Sequence, residues 1–168
     1  FKVLKNSWAL FTGIGIMMIA HGLQSNLMGV RSVIEDFNVI TTGIFMSGYF
    51  VGYFFGSQTT PILVAKVGHI RVFAAFASMA SLSVLIVVVF VNPIIWTIAR
   101  FITGLSLVSC YIVAESWLND RATNKNRGQL LSAYMVILFT GLGIGMLLLN
   151  VGNPEDFEPF ILVSLLMS

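Results

Sequence analysis

A single arginine, Arg100, lies in the middle of a long apolar stretch of the chain. No charged residue occurs from 72 to 99 before it, and the next charge after it is Glu115. A charged side chain at membrane depth costs at least ~2.5–3.5 kcal/mol, so it normally faces a cavity or a partner. On a helix, its neighbours within about 60° are the following: Thr103, Gly104, Tyr111 and Glu115. This spacing predicts a polar helix face whose fixed positive charge holds an anionic group or sets the protonation of a neighbour.

Snorkelling is the alternative interpretation of Arg100. The residue lies about six positions from the outer end of its predicted helix, roughly 9 Å at the helical rise, and a long arginine reaches the headgroups from there. Snorkelling does not require Thr103 and Tyr111 to continue the polar face inward, whereas a cavity lining accounts for both.

Two polar residues of the first apolar segment, His21 and Gln24, occupy neighbouring positions on one helix face. Histidine titrates near neutral pH, so in a water-filled cavity it relays protons or binds solute. The alternative is a histidine that bonds to a neighbouring helix. We therefore predict a substrate-binding or coupling site with these members: Arg100, His21, Gln24, Thr103 and Tyr111. Further lining candidates, each also explained by aromatic packing, are Tyr49, Tyr53 and Tyr134.

The composition indicates a membrane protein. Of the 168 residues, 57% are hydrophobic and 10% are charged, whereas a soluble domain carries about 25% charged residues. Most uncharged stretches exceed the ~20 residues that cross a bilayer core, and the alternation of a barrel strand is missing from Val84 to Val91, which favours helices. The fold class is therefore all-α integral membrane. We expect no enzyme activity, no cofactor and no metal site. No nucleic-acid partner is expected either, because the net charge is only +2.

Six helices are predicted, the last one incomplete, at about these positions: 8–28, 42–64, 70–91, 94–117, 129–150 and 159–168. Their hydropathy divides into two groups of three spans, 1–91 and 92–168, which is the layout of a 3+3 inverted repeat. A cytoplasmic N-terminus places most Lys and Arg side chains inside, and these are Lys2, Lys5, Lys66, Arg71, Arg121, Lys125 and Arg127. This distribution predicts the N-terminus on the cytoplasmic side.

Glycines at four-residue spacing predict faces where two helices pack closely, because small residues let the backbones approach. The second predicted helix carries Gly48, Gly52 and Gly56 on one face. In the fifth predicted helix, Gly141 and Gly145 have the same spacing.

The short inner loop after the second helix combines turn residues with positive charge. Pro61 is expected to end or kink the helix, and Gly68 permits a tight turn between the basic residues Lys66 and Arg71. One alternative is a positive-inside anchor with no further role. The other is a gate in which Glu115 forms an ion pair with a basic residue of the inner side, namely Lys66, Arg71 or Arg127. Glu115 is alternatively a proton-accepting carboxylate.

Two stretches resemble signatures of the major facilitator superfamily. In "PILVAKVGHIRV", Lys66, Gly68 and Arg71 match the loop between the second and third helices, while Ala65 stands where that signature has aspartate. The stretch "RFITG", which starts at Arg100, is similar to the signature of the fourth helix. Within the superfamily, the stretches "VGHIRV" and "AESWLNDR" are most similar to uncharacterised bacterial members.

The resemblance implies that residues 1–168 form the N-terminal six-helix half of a transporter in a bacterial inner membrane. It also implies secondary transport of a small solute by alternating access, as a symporter or antiporter, with protons as an expected coupling ion. The implied inner gate comprises Lys66, Gly68, Arg71, Glu115 and Arg127. The expected partners are the solute, the bilayer, and a C-terminal six-helix half or another membrane subunit. The alternative, favoured by Ala65 and the short sixth helix, is a non-transporting scaffold or accessory subunit of a larger membrane complex.

Overall fold

A computed structural model describes residues 8–168, which form six α-helices and no strand. In chain order these are α1 Trp8–Ile34, α2 Val39–Val67, α3 His69–Val89, α4 Pro93–Arg121, α5 Arg127–Leu148 and α6 Glu158–Met167. The all-helical prediction is confirmed for these residues. Lys2 and Lys5, on which the predicted orientation partly depends, lie outside the described residues.

Length and hydropathy separate the six helices into two groups. Four of them, α2 to α5, are long and apolar enough to cross a membrane. Helix α1 has 27 residues, but His21, Gln24 and Asn26 lower its mean hydropathy. Helix α6 has only 10 residues. The predicted helices are therefore all present in this part of the chain, and four of them have the properties of a membrane span.

Helix α2 passes Pro61 without ending and continues to Val67. Proline removes one backbone hydrogen bond and crowds the carbonyl one turn earlier, a defect that membrane helices tolerate. The helix ends only at Gly68, whose N–H bonds to the Val64 carbonyl.

Two helix pairs make the most extensive contacts, α2 with α4 and α1 with α5. Helix α3 packs against α4 and α6, and α6 also packs against α1. Helix α4 is the most enclosed of the four candidate spans. The core between the helices contains large side chains that are almost fully buried, among them Ile14, Phe45, Trp96, Leu107 and Tyr134.

The contact between α2 and α4 depends on glycines from both helices. A Cβ atom on Gly52 would overlap the Phe101 carbonyl, and a Cβ atom on Gly104 would overlap the Tyr49 carbonyl. Gly48 and Gly56 also face the α4 backbone. Since backbones in lipid associate through close van der Waals contact, these missing side chains determine how near α2 lies to α4.

Helices α1 and α5 approach each other in the same way. A Cβ atom on Gly145 would overlap the Ile19 carbonyl, and one on Gly141 would lie 2.9 Å from the Gly15 carbonyl oxygen. From the opposite side, Gly22 faces the Leu142 carbonyl. Both glycine faces that the sequence analysis singled out therefore lie at interhelical contacts.

Hydroxyl pairs add directional links across three helix contacts. Thr60 and Ser109 are 2.6 Å apart between α2 and α4. A distance of 2.8 Å separates the hydroxyls of Ser81 and Ser164, which join α3 to α6. Ser83 and Thr103 make the corresponding link between α3 and α4 at 2.8 Å.

The glycine contact is testable with two alanine variants of the same helix. We expect Gly52→Ala to destabilise the protein by about 1–3 kcal/mol, because the added methyl forces α2 away from α4. Gly43→Ala is the matched control, since a Cβ atom at that position meets nothing within 4 Å. Thermal unfolding in detergent, followed by tryptophan fluorescence, measures both. Equal midpoints for the two variants would contradict the packing role.

Candidate functional site

Arg100 is enclosed by the helices rather than extended toward an end of the bundle. Only 4% of its side chain is exposed, and its guanidinium carbon lies 5.0 Å from the ring centroid of Tyr49 on α2. Cations over aromatic faces are attracted by the ring quadrupole. The snorkelling interpretation therefore does not describe this structure.

The charge of Arg100 has no counter-charge among residues 8–168. The two ion pairs in this part of the chain, Arg31 with Glu35 and His69 with Asp120, lie elsewhere. The Nε and Nη1 atoms of Arg100 also lack hydrogen-bond partners there. A buried cation is normally paired or neutralised, so the described residues leave the charge of this guanidinium uncompensated.

Tyr49 reaches Arg100 because of the glycine contact described above. The Tyr49 backbone lies against Gly104, one turn from Arg100 on α4. On its other side, the Tyr49 ring stacks on His21 of α1 with a centroid distance of 5.6 Å and an interplanar angle of 17°. The sequence placed Tyr49 only among the lining candidates, since no residue spacing reveals which helix Arg100 contacts.

Gln24 and Thr103 form the second part of the cluster and are both almost fully buried. The Gln24 Nε2 atom donates to Thr103 Oγ1 at 3.5 Å, while Thr103 donates to the Ala99 carbonyl at 2.9 Å. Ser83 of α3 contacts the same threonine hydroxyl. Sequence reasoning missed Ser83, because a serine in an apolar run carries no distinctive signal. The Oε1 atom of Gln24 has no partner among the described residues.

Tyr111 lies apart from this cluster. Its hydroxyl donates to the Met18 sulfur of α1 at 3.1 Å. Gly104 contacts α2, and Glu115 is exposed near the Tyr134 hydroxyl of α5. The predicted polar face of α4 is thus divided among several neighbouring helices. Its angular spacing was read correctly, but one helix touches too many neighbours for a single face to line a single cavity.

The structure does not bring the predicted inner-gate residues together as ion pairs. Lys66, Arg71, Glu115 and Arg127 are exposed, and within residues 8–168 no ion pair joins Glu115 to the other three. The reason is that these exposed side chains belong to four different helices and none is enclosed beside an opposite charge. Gly68 has φ 87° and ψ 161°, a conformation that is essentially restricted to glycine.

A different polar group occupies the end of the bundle that carries Gly68. His69 Nε2 lies 3.0 Å from the Ser116 hydroxyl and 3.8 Å from an Asp120 carboxylate oxygen. Arg121 covers the Trp117 ring at 3.9 Å. The two contacts of His69 connect α3 to α4, and the sequence analysis did not identify them.

A cavity lies beside this polar group and not at Arg100. It has a volume of about 520 Å³. Its walls are mostly apolar, with His69, Trp117 and Arg121 contributing its polar atoms. The Arg100 cluster instead meets the exterior through two partly exposed rings, those of His21 and Tyr49.

Comparison with known protein families shows to which family this chain belongs. The sequence profile described as "Major Facilitator Superfamily" matches residues 10–152. The chain belongs to the Major Facilitator Superfamily.

Curated members of the Major Facilitator Superfamily include close matches from Escherichia coli. Proteins described as "Uncharacterized MFS-type transporter YcaD" in strains O45:K1 (S88), O81 (ED1a) and O9:H4 (HS) are each 28% identical over 149 residues. The alignment covers 87% of this chain and 38% of each relative, so the chain spans less than two fifths of their length. No solved structure matches. Membership, together with the four helices that are long and apolar enough to cross a membrane, supports an integral membrane protein.

In this member of the Major Facilitator Superfamily, the Gly68 turn gives a prediction. We expect Gly68→Ala to lower the free energy of unfolding by about 1–3 kcal/mol through backbone strain. Steric overlap plays no part, since a Cβ atom there meets nothing within 4 Å. Gly128→Ala is the control, because that helical glycine is equally unobstructed. Thermal unfolding in detergent compares them, and a Gly68→Ala midpoint at or above that of the control would rule out the strain.

Proposed function

We propose that this protein is a secondary active transporter that moves a small solute across a bacterial membrane by alternating access. The observation that carries the proposal is the Arg100 side chain, which is buried and has donor atoms without partners among residues 8–168. Charged residues inside membrane segments are rare and usually mark a solute or ion pathway. Membership of a transporter superfamily supports the same activity.

The helix contacts support an inverted repeat of α1–α3 and α4–α6. Exchanging α1 with α4, α2 with α5 and α3 with α6 turns the α2–α4 contact into the α5–α1 contact, and both are extensive. The same exchange turns α3–α4 into α6–α1 and leaves α3–α6 unchanged. Each main contact therefore has a counterpart among the others when the two triplets are exchanged. An inverted repeat of two triplets requires this pattern.

The glycine positions agree with this exchange. Gly52 of α2 lies against α4, and Gly145 of α5 lies against α1. Equivalent helices in the two triplets thus use the same device at equivalent contacts. With α1 and α6 counted as spans, the chain has the six crossings that the repeat implies.

We further propose that residues 1–168 are the N-terminal half of the transporter. The curated relatives are much longer than this chain, which leaves room for a second six-helix half. In the most apolar 18 residues of α2 and of α5, only 22% of the residues are buried, compared with 61% in α4. Their free faces fit contact with another half, with another membrane subunit or with lipid. In the proposed transporter, the solute binds between halves, where the partly exposed rings of His21 and Tyr49 adjoin the buried Arg100.

Gating and coupling complete the proposal. Lys66, Arg71, Glu115 and Arg127 are exposed at the end of the bundle that also carries Gly68. There they are free to pair in a second conformation of the transport cycle. His21 is the titratable group nearest the solute cluster, which makes protons the coupling ion we propose.

A scaffold without transport activity is the second candidate. Ala65 replaces the aspartate of the loop signature, and Glu115 forms no ion pair in this part of the chain. Both features favour a unit that has lost its gate. The buried, unpartnered Arg100 favours transport, because a scaffold gains nothing from an uncompensated charge.

The role of Arg100 is testable by flux. We expect Arg100→Gln to abolish solute uptake into proteoliposomes of the full-length protein, because the neutral amide cannot hold an anionic group. Gradient-driven flux is measured with a panel of radiolabelled small anionic, neutral and cationic solutes. Arg121→Gln is the control, since this exposed guanidinium covers Trp117 at the other end of α4. Size-exclusion chromatography and circular dichroism check folding.

Two results of that experiment would contradict the proposal. Wild-type flux from a folded Arg100→Gln variant would remove Arg100 from the site. Absence of flux for every solute with the wild-type protein would favour the scaffold.

The proposed orientation, with the N-terminus in the cytoplasm of the inner membrane, is testable by labelling. Cys110 is buried, so a new exposed cysteine reports its own location. We expect a membrane-impermeant maleimide to label Asp156→Cys but not Lys125→Cys in intact spheroplasts, because the loops of these residues lie on opposite sides of α5. Disrupted membranes should give labelling of both. The reverse pattern in intact spheroplasts would invert the orientation.

A further inference from the structure

The polar cluster around Arg100 has a charge requirement that its own residues do not meet. The guanidinium lies on the Tyr49 ring, and no ion pair within residues 8–168 includes it. Its forked donors match the two oxygens of a planar carboxylate, which accepts parallel N–H bonds. A carboxylate anion therefore satisfies both the charge and the geometry of Arg100.

The second requirement comes from Gln24. The Thr103 hydroxyl gives its only hydrogen to the Ala99 carbonyl, so the neighbouring amide must donate to it. This assigns Nε2 of Gln24 to the Thr103 side and leaves Oε1 as a buried acceptor without a partner. A buried acceptor needs a donor. The ligand must therefore supply a hydroxyl or amine hydrogen as well as an anion.

The two requirements arise on the same turn of α4. Thr103, which contacts Gln24, follows Arg100 by three residues, so both side chains leave the helix within one turn. One small ligand with a carboxylate and a hydrogen-bond donor therefore meets both requirements. The donor is more suitably a hydroxyl than an ammonium group, because no acidic side chain of residues 8–168 pairs with Arg100 to offset a second cation beside it.

We infer that the solute of this site is a small 2-hydroxycarboxylate, with its carboxylate on Arg100 and its hydroxyl donating to Gln24 Oε1. This inference rests on the proposal that the Arg100 cluster is the transport site. The stacked rings of His21 and Tyr49 provide a flat wall for the carbon chain. His21 Nδ1, which is buried without a partner, is available to a second ligand oxygen.

Matched ligands test each part of the inference separately. Binding to the full-length protein in detergent is measured by isothermal titration calorimetry with 2-hydroxycarboxylates of two to six carbons. The corresponding unsubstituted carboxylates lack the donor, and the corresponding 2-hydroxyamides lack the charge. We expect at least one hydroxycarboxylate to bind, its unsubstituted analogue to bind about tenfold more weakly, and its amide to bind roughly 100-fold more weakly.

Two variants identify the groups responsible. Arg100→Gln should remove the preference for the carboxylate over the amide, and Arg121→Gln should leave every affinity unchanged. Gln24→Met keeps the length of the side chain and the charge of the site, but it should remove the preference for the hydroxylated acid. This second variant keeps the test decisive where Arg100→Gln fails to fold.

The outcomes separate the ligand class from the transport proposal. Equal affinity for the acid and the amide, or for the hydroxylated and unsubstituted acids, would overturn the ligand class. So would an Arg100→Gln variant with a lowered unfolding temperature and unchanged ligand affinities, which would assign the counter-charge to a carboxylate of the protein. Binding of hydroxycarboxylates without any gradient-driven flux in proteoliposomes would refute transport while the ligand class stands. Flux of only neutral or cationic solutes would do the opposite.

Discussion

The close backbone contact between α2 and α4 is the constraint on which the rest of this structure depends. Gly104 lacks the side chain that would keep the Tyr49 backbone away from α4. The Tyr49 ring consequently lies under the guanidinium of Arg100 and against the imidazole of His21. A single missing methyl group thus connects helix packing to the electrostatics of the buried charge. In lipid, where the hydrophobic effect does not press helices together, such contacts decide which helices associate.

Polar groups within the bundle serve two different purposes. The hydroxyl groups of Thr60 and Ser109 bond to each other and link α2 to α4. In contrast, the group of Gln24, Thr103 and Ser83 ends in an acceptor without a partner. Satisfied pairs hold helices in register, since an apolar surrounding makes each unmade hydrogen bond expensive. An unsatisfied atom at the same depth adds no stability, so its presence is better explained by a ligand.

The sequence predicted the helices and the glycine contacts because both are local properties of the chain. Uncharged runs report burial in lipid, and the four-residue spacing of Gly48, Gly52 and Gly56 reports a face. Neither property says which helix lies opposite that face. For this reason Tyr49 was not assigned to Arg100, and the contact of His69 with Asp120 was not foreseen. Pro61 did not end its helix, because proline stops helices in water far more strictly than in lipid.

The proposed repeat gives the cluster around Arg100 a structural origin. Helices α1 and α4 are equivalent under the exchange of triplets, and each contributes two polar side chains three residues apart. His21 and Arg100 meet through the Tyr49 ring, while Gln24 and Thr103 meet directly. The two helices run in opposite directions with the same spacing of polar residues. They bring together the Arg100 cation of α4 and the unpartnered Gln24 Oε1 acceptor of α1. The proposed repeat is symmetric but its residues are not, and in the proposed transporter that difference makes the site selective for a ligand with two unlike ends.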